Sequence, residues 1–552
     1  MFKTKMRKWL LVPVTLLMMA ALLVGGCNGD DGGNGGNDGN GGNGGNGGDT
    51  PDNGAITGTI DEAGSTSVQP LAELMAFEFM DMYPDVTINI SGGGSSAGVK
   101  ACAAGTVDIG AASRDVKMSE ADLIPIPIAR DAVAIVVNEA NPISELSMKQ
   151  VAGIYAGDLT NWSDVGGNDA EIVVVSREEG SGTRDCFESK LMDAYDKEIK
   201  ADALFYDSNG AARTKVSSEA DAIGFVSLGY VEGLKTIVID GVEPTLENCQ
   251  SGDYPVLRRL YLLSQDVPTG ATKAFIDFCR SAEGQAIAAE SWVPLVKTET
   301  PFANYETFVE IVGTIDEAGS TSVQPLAELM AFEFMDKYPD VTINISGGGS
   351  SAGVKACDSG TVDMGAASRD IKMSEADLIA IPIARDAVAI VVNADNPISE
   401  LTMEQVAGIY AGDITNWSDV GGNDAEIIVV SREEGSGTRD CFESKLMDAY
   451  DKEIKADALF YDSNGAARTK VSSESNAIGF VSLGYVEGLK TIVIDGVEPT
   501  LENCQSGDYP VLRRLYLLTQ EVPTGAVAAF IDFCRSAEGQ AIAAESWVPL
   551  VD

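Results

Sequence analysis

The chain consists largely of one sequence written twice. The segment GTIDEAGSTSVQPLAELMAFEFMD begins at Gly58 and again at Gly313, and the offset of 255 residues holds to the end of the chain. Over about 240 aligned positions about 19 differ, and no gap is needed. A repeat of this length is a whole domain or a pair of lobes, not the short unit of a solenoid. We therefore expect two modules of one fold, residues 55–297 and 313–552, joined by a short linker, residues 298–312.

The composition excludes several classes of function. The chain contains no histidine, which rules out Ser-His-Asp and Cys-His catalysis and the histidine-based zinc hydrolase and deaminase motifs. The net charge is −46, from 38 basic and 84 acidic side chains. Because so acidic a chain repels a phosphate backbone, we expect no nucleic-acid partner.

The first 54 residues have the composition of a secretion signal followed by a tether. Basic residues come first, an apolar run extends from Trp9 to Val24, and small residues precede Cys27. This is the pattern of a secretory signal. Its end resembles a lipobox, which implies removal of residues 1–26 and a lipid anchor on Cys27. A retained membrane anchor and plain secretion are the alternatives, although the apolar run is short for a span. Residues 27–54 are almost entirely Gly, Asn and Asp, so we expect a disordered tether.

Hydrophobic patterning predicts alternating strands and helices in each module. Residues 86–91 alternate as a strand and residues 171–176 read as a buried strand. A helix extends to residue 82, opened by the hydroxyls of residues 65–67 and Pro70. Residues 126–138 are apolar and long, as a strand linking two lobes would be. The predicted core face of the helix comprises Leu71, Leu74, Met75, Phe79 and Met82. This order predicts an α/β module with a parallel sheet, which binds ligands at the carboxyl ends of its strands.

Three loops carry the chemistry of an anion site. They are GSTS at residues 64–67, GGGSSAG at 92–98 and REEGSGTRD at 177–185. Each follows a predicted strand and opens a helix, so glycines, hydroxyls and unpaired helix N–H groups can surround one ligand. Arg177 and Arg184 add guanidinium groups, which bind tetrahedral oxyanions bidentately. Ordinary turns and helix caps are the alternative explanation.

None of these loops has the pattern of a catalytic site. The P-loop sequence is absent, and no G-x-S-x-G elbow has a histidine to serve it. Ser181 has no obvious base. We therefore expect a binding protein that is not an enzyme and that needs no cofactor and no metal.

The loops and the segments between them resemble a known family. GSTSVQPLAE, SGGGSSAGVKA, TVDIGAASRD, NPISELSMKQVAGIYAGDLTNWSDVGG and SREEGSGTRDCFES, in this order, are similar to the substrate-binding proteins of high-affinity phosphate ABC transporters. The resemblance covers nearly all of each module. It implies the two-lobed type II periplasmic-binding-protein fold, hinged over a buried phosphate, with a membrane permease as partner.

Carried over motif by motif, the resemblance implies the ligand contacts. In module 1 the implied phosphate-binding residues are Thr66, Ser67, Ser95, Arg177, Ser181, Gly182 and Thr183. In module 2 they are Thr321, Ser322, Ser350, Arg432, Ser436, Gly437 and Thr438.

One position departs from the family pattern. Family members place an aspartate after the D-x-G-A strand, where it accepts the proton of hydrogen phosphate; here that position is Ser113, and Ser368 in module 2. Asp115, with Asp370 in module 2, could take over as acceptor from a shifted backbone. Otherwise Ser113 is the contact, and the site lacks the carboxylate that would select phosphate over sulfate. Pairing of Arg114 with Asp115 at the lobe edge is a third alternative.

The remaining eight cysteines fall four to a module, at Cys102, Cys186, Cys249 and Cys279, and at Cys357, Cys441, Cys504 and Cys534. An even count outside the membrane favours two disulfides per module, with three pairings open. We expect Cys102–Cys279 and Cys186–Cys249, because the first and last segments of such modules often share a lobe. Buried free thiols are the alternative, and the absence of a C-x-x-C pair argues against zinc.

Together these features predict a lipid-anchored protein on the extracytoplasmic face of the cell membrane. It would bind inorganic phosphate in both modules, two ions per chain with similar affinity, and pass it to the permease of an ABC transporter. Another tetrahedral oxyanion such as sulfate, tungstate or arsenate is the alternative ligand. A cell-surface structural protein reusing the fold is the alternative class.

Overall fold

The structure, a computed structural model, describes residues 56–295 and 311–551. The predicted signal peptide, the lipid anchor Cys27, the tether and most of the linker lie outside these residues, so those predictions and the proposed boundaries stay predictions. No helix within the described ranges is long and apolar enough to cross a membrane.

Module 1 alternates strands and helices as its apolar pattern predicts. Its strands are β1 (Gly58–Gly64), β2 (Val86–Gly92), β3 (Ile109–Ala112), β4 (Ile124–Val137), β5 (Glu145–Leu146), β6 (Val173–Arg177), β7 (Leu204–Tyr206), β8 (Ala222–Ser227), β9 (Lys235–Thr236), β10 (Val238–Ile239) and β11 (Leu257–Ser264). Its helices are α1 (Gln69–Met82), α2 (Ser95–Ala103), α3 (Met148–Ala156), α4 (Gly182–Phe187), α5 (Asn209–Ser218), α6 (Leu246–Ser251), α7 (Gly270–Arg280) and α8 (Ala282–Ala288).

Module 2 repeats these elements in the same order. Its strands are β12 (Gly313–Gly319), β13 (Val341–Gly347), β14 (Met364–Ala367), β15 (Ile379–Val392), β16 (Glu400–Leu401), β17 (Ile428–Arg432), β18 (Leu459–Tyr461), β19 (Ala477–Ser482), β20 (Lys490–Thr491), β21 (Val493–Ile494) and β22 (Leu512–Thr519). Its helices are α9 (Gln324–Lys337), α10 (Ser350–Asp358), α11 (Met403–Ala411), α12 (Gly437–Phe442), α13 (Asn464–Ser473), α14 (Leu501–Ser506), α15 (Gly525–Arg535) and α16 (Ala537–Ala543).

Nine strands of each module form one mixed sheet that bends between two lobes, and the two short strands β5 and β10, or β16 and β21, pair separately. In module 1 the order is β2-β1-β3-β11-β4-β8-β6-β7. The first lobe holds β1, β2 and β3, which pair in parallel, and the second holds β6, β7 and β8, also parallel. The predicted α/β class is confirmed: two tandem modules, each of two lobes.

The sheet differs from the predicted parallel one where the lobes join. The long apolar strand β4 crosses between the lobes, as its length predicts, and β11 runs beside it in the opposite direction. Their register shifts at Leu260/Tyr261. A pair of antiparallel strands here lets the chain leave the first lobe along β4 and return along β11, so these two strands form the connection between the lobes.

Helix α1 packs on the first lobe through three of the five residues that were predicted to face the core. Leu71, Met75 and Phe79 are buried, and the Phe79 ring lies edge-on to Phe275 of α7, with centroids 5.5 Å apart. Leu74 and Met82 are 47% and 46% exposed, because the contact stripe of α1 is narrower than the apolar pattern suggests. The N-cap is Val68 without a side-chain bond, since the hydroxyls before it serve the site described below.

The predicted disulfides are wrong: all eight cysteines within the described residues are buried free thiols. Cys102 packs beside Leu263 in a small cluster on one side of the first lobe, whereas Cys279 lies in the main core of that lobe with α1. The Cys186 thiol contacts the carbonyl oxygen of Leu257 at 3.8 Å. These residues fill apolar cores, and burial raises the pKa of the Cys186 thiol to about 11.

Candidate functional site

The three predicted loops meet at the cleft between the lobes of each module. In module 1 the residues after β1 and before α2 come from the first lobe, and those after β6 come from the second. The hydroxyl oxygens of Ser67 and Thr183 lie 3.0 Å apart across the cleft. The backbone N–H of Ser96 donates to the carbonyl oxygen of Gly180 at 3.1 Å. The lobes are therefore in contact around the three loops.

A cluster of serine hydroxyls forms the first-lobe side of the site. Ser65 Oγ donates to Ser113 Oγ at 2.9 Å, and Ser95 Oγ lies 3.3 Å from Ser113 Oγ. The backbone N–H of Ser113 donates to Ser95 Oγ at 3.1 Å. All three residues are at most 2% exposed, so these hydroxyls line a site closed to bulk water.

Arg177 supplies a buried positive charge from the second lobe. Its side chain is 1% exposed, and the carbonyl oxygens of Tyr206 and Asp207 accept from Nε and Nη2 at 3.1 and 2.9 Å. Nη1 and Nη2 each reach a hydroxyl, of Thr183 and Thr66, at 3.4 Å. Burial, with the neighbouring Arg258, lowers the pKa of Arg177 to about 10, which leaves it charged at neutral pH.

The structure adds a second arginine that sequence reasoning missed. Arg258 on β11 donates through Nη2 to Ser67 Oγ at 2.9 Å and through Nη1 to Ser113 Oγ at 3.1 Å. Its charge is balanced by Asp131 on β4, which is fully buried 2.6 Å away. The sequence signal for it was a pair of adjacent charged residues inside each of two apolar strands, IARDAVAIVV and VLRRLYLL.

Asn209 at the start of α5 completes the second-lobe side. Its amide Nδ2 donates to Ser67 Oγ at 2.8 Å, while its Oδ1 accepts from the backbone N–H of Ser227 at 3.2 Å. The bond to Ser227 fixes which end of the amide faces the cleft, so Asn209 presents a donor.

Glycine is required where α4 approaches the serine cluster. A Cβ on Gly182 would lie 2.4 Å from Ser95 Oγ and 2.6 Å from Ser113 Oγ. Side-chain atoms do not tolerate such distances, so only glycine lets the N-terminus of α4 reach the first lobe. Ser181 caps this helix, because its Oγ accepts from the backbone N–H of Arg184 at 3.3 Å.

The structure does not bring Asp115 and Asp370 to the site. Asp115 Oδ1 accepts from the Tyr261 hydroxyl at 2.6 Å, and burial together with Asp370 of the other module raises the pKa of Asp115. Arg114 pairs with Glu120 and Asp185 and donates to the Asp115 backbone at 2.8 Å. Ser113 and Asp115 were the two candidates to replace the aspartate of the family pattern. Of these, Ser113 lies in the serine cluster and Asp115 does not.

Module 2 reproduces the arrangement. Ser322 and Thr438 hydroxyls lie 3.1 Å apart, and Arg513 donates to Ser368 Oγ at 3.1 Å while pairing with Asp386 at 2.6 Å. The remaining predicted contacts, with Asn464 added, occupy equivalent places: Thr321, Ser350, Arg432, Ser436 and Gly437. Among the described residues no group of carboxylates and thiols could hold a metal ion.

Each module has two lobes, joined by the crossing strands, with hydrogen-bond donors buried in the cleft between them. This architecture is that of a substrate-binding protein, and the chain contains it twice. A family model described as "PBP superfamily domain" matches residues 49–283 and 310–538, and the chain belongs to this family in two copies. This match, together with the relatives named below, confirms the resemblance to phosphate-binding proteins, which are substrate-binding proteins.

Several relatives illustrate the similarity. The phosphate-binding protein PstS 2 of Streptococcus pneumoniae is 34% identical over 45% of this chain and 87% of its own length. The phosphate-binding protein PstS of Bacillus subtilis is 28% identical over 43% of this chain and 81% of its own length. The structure of an ABC-type phosphate transport receptor from Vibrio cholerae is 36% identical over 42% of this chain and 99% of its own, with a TM-score of 0.37.

Proposed function

We propose that each module binds one inorganic phosphate ion between its lobes. The observation that carries this proposal is the convergence of two buried guanidinium groups, Arg177 and Arg258, with the hydroxyls of both lobes. A divalent oxyanion with four oxygens can use this many donors at once, and charge-assisted bonds in a dry site are strong. The names of the relatives identify them as phosphate-binding proteins, which supports the same ligand here.

We further propose that the chain delivers phosphate to the permease of an ABC transporter from the extracytoplasmic side, anchored by lipid on Cys27. The class of the relatives supports delivery, and the lipobox-like sequence supports the anchor. Metabolic labelling with a radioactive fatty acid, compared between wild type and Cys27→Ser, tests the anchor directly. Label that persists in the variant would remove Cys27 from this role.

Stoichiometry tests the proposed function. Because both modules keep every matched contact, isothermal titration calorimetry should give two phosphates per chain with similar intrinsic affinity. A single phosphate per chain would show that one site is blocked. An absence of heat with phosphate would overturn the proposal.

A count of hydrogen-bond donors and acceptors favours a second candidate ligand, sulfate or another unprotonated oxyanion. A hydroxyl oxygen has two lone pairs and one proton. Ser113 Oγ accepts from Ser65 and Arg258, and Ser67 Oγ accepts from Asn209 and Arg258. Both hydroxyls can therefore act only as donors, and in the structure their remaining contacts are with Thr183 Oγ1 and Ser95 Oγ.

The buried carboxylate does not change this count. Asp131 Oδ1 accepts from Ser227 Oγ and from the backbone N–H of Leu228, and Oδ2 accepts twice from Arg258. The two central hydroxyls and the buried carboxylate beside them thus have no free lone pair, whereas hydrogen phosphate brings a proton of its own. We expect phosphate to be preferred over sulfate by less than about tenfold, and competition calorimetry with the two ions measures this ratio.

Gly182→Ala should weaken phosphate binding in module 1 by about tenfold or more, about 1.4 kcal/mol, and leave module 2 binding. The added Cβ meets two hydroxyls at 2.4 and 2.6 Å, so the lobes cannot close fully. Gly210→Ala is the matched control, because a Cβ there meets only Tyr230 at 3.9 Å. Equal affinities for the two variants would show that α4 does not approach the serine cluster when phosphate binds.

A further inference from the structure

The two modules contact each other through a reciprocal set of buried ion pairs. One aspartate of each module receives two arginines of the other: Asp122 receives Arg385 and Arg514, and Asp377 receives Arg130 and Arg259. All six residues are at most 7% exposed. Each contact from module 1 to module 2 is matched by a contact between the equivalent residues from module 2 to module 1. This is the pattern of a two-fold interface.

These arginines lie on the strands that connect the lobes. In module 1, Arg130 of β4 faces Arg259 of β11 across the ladder, and the next pair along is Asp131 and Arg258. Side chains alternate between the two faces of a strand. The pair Asp131 and Arg258 therefore points into the site of its own module, and the pair Arg130 and Arg259 points into the other module.

The outward arginines hold the backbone of one segment of the partner module. Arg259 donates to the carbonyl oxygens of Ile371 and Lys372, each at 2.9 Å, and Arg130 donates to that of Glu375 at 2.9 Å. We call residues 369–377 the latch segment of module 2, and residues 114–122 that of module 1. Arg514 and Arg385 hold the latch segment of module 1 through the equivalent contacts.

Each latch segment also joins the two lobes of its own module. In module 2, Arg369 pairs with Asp440 of the second lobe at 2.7 Å, and Lys372 pairs with the same carboxylate at 3.2 Å. Arg369 directly follows Ser368 of the site. The latch segment of module 2 is thus bonded to strands β4 and β11 of module 1. It is also bonded to the second lobe of its own module, next to the site.

We propose that the two sites bind phosphate with positive cooperativity, transmitted by these latch segments. The proposal rests on the proposed function. Closing a module bends β4 and β11, or β15 and β22, where they cross between the lobes, and this moves the outward arginines. In the structure both modules have their lobes in contact with every reciprocal bond made. One closed module therefore holds the partner's latch segment in the position that the partner's own closure needs.

The test is a calorimetric titration of the full chain with inorganic phosphate. Coupling by about tenfold between two sites gives a Hill coefficient of about 1.5. The chain carrying Asp122→Asn and Asp377→Asn should still bind two phosphates, with a Hill coefficient lowered toward 1, because the substitutions remove the charge that holds two arginines of the other module on each latch segment and leave only the bonds of these arginines to backbone carbonyl oxygens.

Two further variants keep the test decisive. Asp158→Asn with Asp413→Asn removes the same two charges from ion pairs at exposed positions and should leave the Hill coefficient unchanged. If the Asn interface variant does not fold, judged by its thermal melt, Arg130→Gln with Arg385→Gln removes only the contacts from β4 and β15 and should lower the coefficient toward 1.

The outcomes separate the two proposals. If the wild-type chain binds two phosphates with a Hill coefficient of 1 or below, positive cooperativity is overturned and the proposed phosphate binding stands. A raised coefficient that persists in the interface variants overturns the latch segments as its route. No heat with phosphate overturns the proposed function itself, and cooperative phosphate binding with it.

Discussion

Arg177→Ala is expected to abolish high-affinity phosphate binding in module 1 while module 2 continues to bind. The guanidinium group is buried in the cleft site and is held by the backbone carbonyl oxygens of Tyr206 and Asp207. Removing a charge-assisted donor from such a site costs about 2–5 kcal/mol, or roughly 30-fold or more in affinity. Titration calorimetry should therefore show one tight and one weak or undetectable site per chain.

The chain supplies two controls for this prediction. Arg432→Ala should reverse the result, since Arg432 occupies the equivalent place in module 2. Arg184→Ala removes a guanidinium group from the same loop, but Arg184 pairs with Glu188 and lies over the Phe205 ring, so its loss should change affinity less than about threefold. A loss of phosphate affinity below threefold for Arg177→Ala would place the ligand away from the cleft site.

The sequence predicts those parts of the site whose residues lie within one strand-loop-helix segment. Strand, loop and helix follow one another within a few residues around Ser67, Ser95 and Thr183, so glycines and hydroxyls at predicted strand ends could be assigned to one edge of a sheet. Arg177 belongs to such a loop and could be predicted with it. The constant offset of the repeat carries every one of these assignments into module 2.

The rest of the site depends on contacts that are distant in the sequence. Arg258 and Ser67 are 191 residues apart, and Asp131 and Arg258 are 127 apart. Their meeting requires β11 to return beside β4 in an antiparallel register. The predicted parallel sheet included no strand at residues 257–264, and so it could not place these residues at the cleft.

Asp115 and the cysteines show why residue type alone was misleading. Asp115, two positions after Ser113, looked like a substitute acceptor, but strand β3 ends at Ala112 and the chain bends at residues 113 and 114, so the alternation of a strand no longer sets its direction. Asp115 is directed to Tyr261 and the second module. The even number of cysteines suggested disulfides, whereas the thiols fill separate apolar cores. Only the packing of the layers distinguishes these alternatives.

Introducing a carboxylate into the serine cluster of each module should create selectivity for phosphate over sulfate. In a chain carrying Ser113→Asp and Ser368→Asp, an acceptor would replace a hydroxyl whose lone pairs are filled by Ser65 and Arg258. Hydrogen phosphate can donate its proton to that carboxylate, whereas sulfate brings only lone pairs against it. The ratio of phosphate to sulfate affinity should rise at least about tenfold, about 1.4 kcal/mol.

Two matched chains decide whether the charge at residue 113 is responsible. Ser113→Asn with Ser368→Asn has nearly the same volume, but its amide can turn a donor toward either ion, so the ratio should stay close to that of wild type. Asp115→Asn with Asp370→Asn should also leave the ratio unchanged, because both side chains face the module interface. All chains are compared at one salt concentration, since the net charge of −46 makes anion binding sensitive to screening. A ratio that responds to Asp115→Asn and not to Ser113→Asp would return the acceptor role to Asp115 and remove Ser113 from the ligand contacts.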